Sequence, residues 1–303
     1  MKLLVAGANG QLGQCLARMT SENIEDAGQF EAVVLARAEL DITFADAVFS
    51  EFEKHQPDLL INAAAYTAVD RAEDEVDSAY AVNAQGTQHL AAACSKMGIP
   101  MVHVSTDYVF DGSATEPYLP DSSTSPIGVY GESKLAGEKL AQAELDELVI
   151  VRTAWVYSEY GNNFVKTMLR LATGRDELGV VSDQIGCPTY AGNIAAAILK
   201  ICRSIQDGEK SWGVYHYVDQ PTMSWHAFAE LVFKMAAAQG LIEKRPKVNA
   251  IASAEYPTKA KRPSYSVLDT QSIQRAFGVE QANVEDALAD VLARLSNTSG
   301  VVS

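Results

Sequence analysis

With 303 residues, 48% of them hydrophobic, the chain can bury a sizeable core, either as one large α/β domain or as a domain with a smaller lobe. Its net charge of −15 argues against a nucleic-acid or anionic-membrane partner, which would need a positive field, but local cations or helix N-termini can still hold a phosphate group. The cysteines (Cys15, Cys94, Cys187, Cys202) form no CxxC pair or Cys/His cluster, and no apolar run approaches the ~20 residues that cross a bilayer.

Scattered thiols of this kind suit a reduced compartment and no structural zinc. The apolar start at residues 3–6 is too short for a signal-peptide core, so a soluble cytoplasmic protein is expected. Along the first half, short apolar runs at 2–6, 32–35, 59–62, 100–105 and 148–152 read as strands. Amphipathic stretches at 11–19, 44–55, 78–97 and 129–143 read as the helices between them. That alternation predicts an α/β fold: a Rossmann-like, doubly wound parallel sheet with helices on both faces. Undivided apolar strands such as Val33-Val34-Leu35 suit positions buried on both sides.

After Arg152 the pattern changes. A loop rich in Tyr, Gly and Asn at 157–163 leads into a helix at 164–172, an irregular stretch follows, and another helix spans 191–201. Mixed strand-like and helical pieces, punctuated by prolines, occupy 215–263. The expected organisation is a dinucleotide-binding domain over 1–152, completed by about 190–218. A smaller interleaved substrate-binding lobe would take about 153–189 and 219–265, and C-terminal helices with a frayed tail would take 266–303.

Gly7-Ala-Asn-Gly10-Gln-Leu-Gly13 follows the first strand and opens a helix. Glycines so placed permit a tight turn, close approach of backbone to a pyrophosphate and close helix–strand contact. Gly7, Asn9, Gly10, Gln11, Leu12 and Gly13 are therefore candidate dinucleotide contacts, with the helix N-terminus facing the phosphates. The second strand ends near Arg37, with no acid there to hold a free ribose 2′-hydroxyl. An arginine at that point suits a 2′-phosphate, so NADPH is favoured and NADH is the alternative; the bland reading is a solvated guanidinium. Asp41 and Ile42 lie by the adenine in this reading, or Asp41 caps the next helix. After the third strand, Ala63, Ala64 and Ala65 offer small side chains where a cofactor crosses the sheet edge, although packing explains them almost as well.

Ser105 and Thr106 follow the fourth strand, at the carboxyl edge where ligands bind in open sheets. A hydroxyl there can hold a substrate carbonyl. Tyr130 and Lys134, four residues apart on a helix, place a phenol and an ammonium side by side. A nearby cation favours phenolate, so the pair can donate and accept a proton near neutral pH. Lowering a tyrosine from about 10 to about 7 takes roughly 4 kcal/mol, more than one exposed lysine supplies, so an oxidised nicotinamide would have to contribute.

These residues carry a resemblance to the extended short-chain dehydrogenase/reductase family that runs over nearly the whole chain. It rests on the glycine turn, Asn62–Asp70, Val104–Phe110, Tyr130–Lys134, Arg152–Tyr157, Gly161–Phe164 and Arg262-Pro263. Within the family the resemblance is to reductases of a dTDP-linked 4-keto sugar. It implies hydride transfer from NADPH to the C4 ketone of dTDP-4-dehydro-6-deoxy-L-mannose, giving dTDP-L-rhamnose for cell-wall or O-antigen polysaccharide. Thr106 would orient the ketone, Tyr130 donate the proton and Lys134 tune it and touch the cofactor ribose. Ser105, Tyr108, Trp155, Asn163 and Arg262 would meet the substrate, with Tyr108 and Trp155 equally able to be wall packing.

Some members are dimers bridged by Mg²⁺ on carboxylates. Here the corresponding places read Cys15 and Pro188-Thr-Tyr-Ala-Gly-Asn193, without an acid. Neutral side chains do not replace hard oxygen ligands, so no Mg²⁺ bridge and a monomer or weak homodimer are expected. Rival readings are a non-catalytic regulatory subunit of the methionine adenosyltransferase type, or a nucleotide-sugar epimerase or dehydratase. The intact Tyr130/Lys134 pair disfavours the first. Thr106-Asp107-Tyr108, in place of a Thr-Asp-Glu run, disfavours a dehydratase, and the Arg37 reading disfavours an epimerase with retained NAD⁺.

Overall fold

The computed structural model describes residues 1–22 and 30–298. Of the tail expected to fray from 298 onward, all but Thr298 lies outside the described residues. The first half runs β1 (Lys2–Ala6), α1 (Gln11–Ser21), β2 (Glu31–Leu35), α2 (Ala45–His55), β3 (Leu59–Asn62), α3 (Val69–Ala72) and α4 (Val76–Tyr80). A π-helical turn (Ala81–Gly86) leads into α5 (Thr87–Met97) and β4 (Met101–Thr106). A 3₁₀ turn (Asp107–Val109), α6 (Val129–Glu144) and β5 (Leu148–Thr153) follow. The helix expected over 78–97 is thus real but contains a π turn, a feature that concentrates at functional sites. Hydrophobic periodicity does not register it.

The second half runs β6 (Val156–Tyr157), α7 (Phe164–Ala172), β7 (Glu177–Val181), β8 (Ile185–Gly186), β9 (Thr189–Tyr190), α8 (Ala191–Gln206) and β10 (Gly213–His216). Then come β11 (Met223–Ser224), α9 (Trp225–Ala238), β12 (Lys247–Ile251), α10 (Gln271–Phe277) and α11 (Val284–Thr298). The stretch expected to be irregular carries β7, β8 and β9. Their hydrogen bonds come from β12, β11 and β6, too distant in sequence for local pattern to show.

The main sheet has the order β2-β1-β3-β4-β5-β10, and every pair is parallel. Alternation along the strands sorts the core into two layers. Leu3, Val5, Leu59, Ile61, Val102, Val149 and Val151 face α1, α8 and α9. Leu4, Ala6, Leu60, Met101, Leu148 and Ile150 face the other way, toward α2 and α5 and the end of α6. The chain leaves β1 for β2 on one side and crosses back to β3 on the other, so the strand order reverses beside β1. Ligands bind at that switch point, outside the carboxyl ends of the strands. Among the described residues, no helix is long and apolar enough to cross a membrane.

Close backbone approach fixes α6 over this edge. A Cβ at Gly131 would lie 2.1 Å from the Tyr108 carbonyl oxygen, and one at Gly137 would lie 2.0 Å from that of Asn83 in the π turn. In an exposed helix interior, Gly→Ala gains about 1 kcal/mol, whereas forcing atoms into a filled seam costs about 1–3 kcal/mol. The clash should win at position 137. Gly137→Ala is expected to lower the urea midpoint with little change in slope; a raised midpoint would show that the seam is loose.

Candidate active site

The glycine turn is built by contact with β3. Gly7 has φ of 103°, and a Cβ there would meet the Ala64 nitrogen at 2.7 Å and the Ala63 carbonyl at 2.8 Å. A Cβ at Gly13 would lie 2.1 Å from the Gly7 oxygen, so α1 sits directly on the turn. Gly10 differs: among the described residues, none crowds its Cβ position closer than 3.4 Å, and it is exposed. Gly10 is the N-cap of α1 and offers no side-chain cap, which leaves the helix N-terminus able to receive an anion.

A cavity of about 230 Å³ opens there, lined in part by Gly7, Asn9, Gly10, Arg37, Asp41 and Ile42, with Ala63, Ala64 and Ala65 opposite. These are nine of the residues that the sequence marks for a dinucleotide. Arg37 is largely exposed, its Nε 3.1 Å from Asp41 Oδ2. Asp41 Oδ1 accepts from the Thr43 N–H and hydroxyl, so the capping alternative for Asp41 also describes its geometry. The Gln11 side chain turns away from the cavity. Its Oε1 accepts from Ser158 and Asn163, and its Nε2 donates to the Val156 carbonyl, tying the glycine turn to the 156–163 segment.

At the end of β4, Thr106 is 5% exposed, and its hydroxyl reaches the Tyr130 phenol. The Tyr108 ring meets the Tyr130 ring edge-on, with centroids 5.4 Å apart. Burial is the leading influence on Tyr130 and pushes its phenol above the usual range, with the Thr106 hydrogen bond opposing. Within the chain's own groups, burial of the phenol thus outweighs the lowering expected from Lys134, which was expected to need an oxidised nicotinamide as well. Lys134 is 2% exposed and points inward: its Nζ donates to the Val104 carbonyl at 2.7 Å and lies 3.4 Å from His103 Nε2. Burial lowers Lys134 to about 8.

Ser105 does not join Thr106 in the cleft. Successive strand residues point to opposite faces, and Ser105 donates instead to Glu138 Oε1 at 2.5 Å. Glu138 in turn receives both ends of the Arg152 guanidinium, at 3.0 and 2.7 Å. This nearly fully buried pair pins α6 to β5. Ser105, expected to meet the substrate, thus has a structural partner of its own.

Three further expected substrate contacts also have internal partners. Asn163 is the N-cap of α7, its Oδ1 accepting from the Lys166 N–H, while its Nδ2 donates to Gln11, Ser158 and Tyr160. Both ends of its amide thus have partners in that turn and in Gln11. Trp155, at φ of 47°, stacks on Trp225 with centroids 3.5 Å apart. A Cβ at Gly186 would strike its ring. Arg262 pairs with Asp70 at 2.8 Å and lies beside Tyr108. Cys15 is buried and its thiol is pushed up to about 12, mainly by that burial.

Sequence reasoning overlooked Asp107, Asn62 and His103. Asp107 directly follows Thr106, is 1% exposed, and accepts the Thr106 hydroxyl at 2.9 Å. Burial raises its carboxyl from 3.8 to about 6, with the Ser266 and Thr106 hydroxyls opposing. Asn62 and His103, both fully buried, lie behind Lys134. Asn62 ends β3 and could have been read as a polar residue in an apolar run. The position of His103 depends on strand pairing.

A parallel sheet with a glycine turn at its switch point, and a Thr/Tyr/Lys cluster at the next strand end, define a Rossmann-type oxidoreductase of the short-chain dehydrogenase/reductase kind. The family model described as the RmlD substrate binding domain matches residues 1–297, and the chain belongs to that family. It is similar to a dTDP-4-dehydrorhamnose reductase from Aggregatibacter actinomycetemcomitans, 48% identical over 293 residues, covering 96% of this chain and 98% of the relative. Among solved structures it is similar to a dTDP-4-dehydrorhamnose reductase from Clostridium acetobutylicum (38% identity, TM-score 0.89, 98% of this chain and 100% of that one). Another is the Bacillus anthracis dTDP-4-dehydrorhamnose reductase in complex with NADP (35% identity, TM-score 0.87, 97% and 99% covered).

The raised Asp107 carboxyl has a consequence for stability. The folded chain holds this proton more tightly than the unfolded chain, so stability falls as pH rises from about 4 to about 6. Above that range a buried carboxylate costs on the order of 3 kcal/mol, and below about pH 4 the cost vanishes. Asp107→Asn should therefore stabilise the protein at about pH 7.5 and do so much less at about pH 4.5. Equal urea-midpoint shifts at the two pH values would show that the carboxyl is not raised.

Proposed function

We propose that this protein reduces the C4 ketone of dTDP-4-dehydro-6-deoxy-L-mannose to dTDP-L-rhamnose, with NADPH as the reductant. The observation that carries the reading is the convergence of Thr106, Tyr130 and Lys134 at the β4 end. They stand beside a glycine turn in a chain whose 48%-identical relative is this reductase over nearly its full length. The chain fits the dinucleotide: Gly7 and Gly13 have no room for a Cβ, Gly10 leaves α1 uncapped, and Arg37, exposed and paired only at Nε with Asp41, lines the cavity where a 2′-phosphate would lie. When bound, the reduced nicotinamide supplies the hydride.

The proton comes from Tyr130. Burial keeps the phenol protonated at neutral pH, which is the form an acid needs for ketone reduction. The Thr106 hydroxyl, engaged with Asp107 on one side, holds the phenol on the other. Lys134 supplies the buried cation that meets the phenolate once its proton has left. Arg262, held in readiness by Asp70, gives this acidic protein a cation for the substrate's diphosphate. In this reading, residues 1–152 with about 190–218 carry the cofactor. About 153–189 and 219–265 form the sugar-side lobe, and the remainder closes it.

Tyr130→Phe is expected to lower kcat by roughly 10²–10⁴-fold while the Kd for NADPH stays unchanged. A kcat near wild type would remove Tyr130 as the acid. Arg37→Asp should shift the ratio of kcat/KM for NADPH over NADH toward NADH; an unchanged ratio would mean that Arg37 is merely solvated.

A further inference from the structure

Behind Lys134 lies a chain of hydrogen bonds whose direction is fixed by one backbone amide. The Ala64 N–H, which can only donate, reaches Asn62 Oδ1 at 3.1 Å. The Asn62 amide is thereby oriented, and its Nδ2 is the donor facing His103 Nδ1 at 3.1 Å. That Nδ2 also lies 3.4 Å from Thr87 Oγ1, whose own proton goes to the Asn83 carbonyl. His103 Nδ1 therefore accepts, and a neutral imidazole must carry its proton on Nε2. Nε2 faces Lys134 Nζ at 3.4 Å. An ammonium has donors only, so its charged form meets another donor across this gap. The free amine has a lone pair that can accept.

We propose that His103, locked by Asn62 as its Nε2–H tautomer, is a positioning residue that disfavours the Lys134 ammonium and so sets the alkaline limit of proton transfer at Tyr130. The kinetic half of this statement rests on the acid–base reading of Tyr130 and Lys134 given above; the tautomer does not. Other groups around Lys134 do not reproduce the effect. Tyr130 and Glu138 share its helix, but Glu138 favours the ammonium and is itself neutralised by Arg152 on β5. Asp107 and Tyr108, on the 3₁₀ turn, act on Tyr130. Burial of His103 keeps it neutral, consistent with a lysine below its ordinary range.

Asn62→Asp reverses the chain at constant shape. One carboxylate oxygen still accepts the Ala64 N–H, and the other can only accept, so His103 must place a proton on Nδ1 and turn Nε2 into an acceptor for Lys134. In full-length protein labelled with ¹³C and ¹⁵N at lysine, the Lys134 titration midpoint should rise by about one pH unit or more in Asn62→Asp relative to wild type. It should rise by less in Asn62→Asp/His103→Gln relative to His103→Gln, where the carboxylate's charge acts without the imidazole. The alkaline limb of kcat should move the same way. A midpoint that is unchanged or lowered would overturn the proposal. Equal rises in the two backgrounds would assign the change to charge alone and overturn the proposal as well. A second measurement reads the tautomer in the wild type itself: two-bond ¹⁵N–¹H correlation spectra of ¹⁵N-histidine-labelled protein, with His103 assigned by its loss in His103→Gln. Nε2–H is expected from about pH 6 to about pH 9, and Nδ1–H would overturn the tautomer assignment. Neither NMR readout requires turnover, so failure of the sugar assay leaves this test standing.

Discussion

Helix α6 lies so close to the segments beside it that two of its positions have no room for a side chain. Gly131 brings its first turn against the Tyr108 carbonyl, and Gly137 brings its middle against the π turn. Between these contacts, Tyr130 is held at the Thr106 hydroxyl and Lys134 is driven under β4 to the Val104 carbonyl. The buried Glu138–Arg152 pair fastens the same helix to β5. Removing one partner of such a pair costs several kcal/mol by leaving a buried charge alone. The geometry of the reacting groups is therefore set by packing around α6, and the i, i+4 spacing supplies only their order along it.

Electrostatics at the site follow from that burial. Tyr130 is raised, Lys134 lowered and Asp107 raised, and in each case burial is the largest cause. Each shift favours the neutral form, as expected where a low dielectric dominates neighbouring charge. The site thus holds a buried, protonated phenol and a buried lysine lowered to about 8, in a protein whose overall charge is −15. Under the proposed function, a diphosphate ligand would depend on a few placed donors: the α1 N-terminus, Arg37 and Arg262.

What the sequence made legible was local. The first five strands, the glycine turn and the Tyr130/Lys134 helix are each specified by residues within one element, and one cavity is lined by nine of the residues marked for a dinucleotide. What it hid depended on contacts between distant segments. Ser105 looked equivalent to Thr106 until strand alternation turned it toward Glu138, 33 residues on. Asn163 reads as a substrate donor, and only the fold brings its amide to Gln11, 152 residues earlier in the chain. Trp155 finds its partner in Trp225, and a positive φ at a tryptophan cannot be read from a string of letters. His103 sits in an apolar strand, and only strand pairing sets it between Asn62 and Lys134.

The proposed reaction delivers one hydride to one carbon of one sugar nucleotide. The direct measurement is turnover of dTDP-4-dehydro-6-deoxy-L-mannose with NADPH deuterated at nicotinamide C4 on the transferred face, followed by NMR and mass analysis of the product. One deuterium at sugar C4, in dTDP-L-rhamnose, is the predicted result. Deuterium absent from the sugar, or placed at another carbon, would contradict the assignment of this site as a C4-ketone reductase.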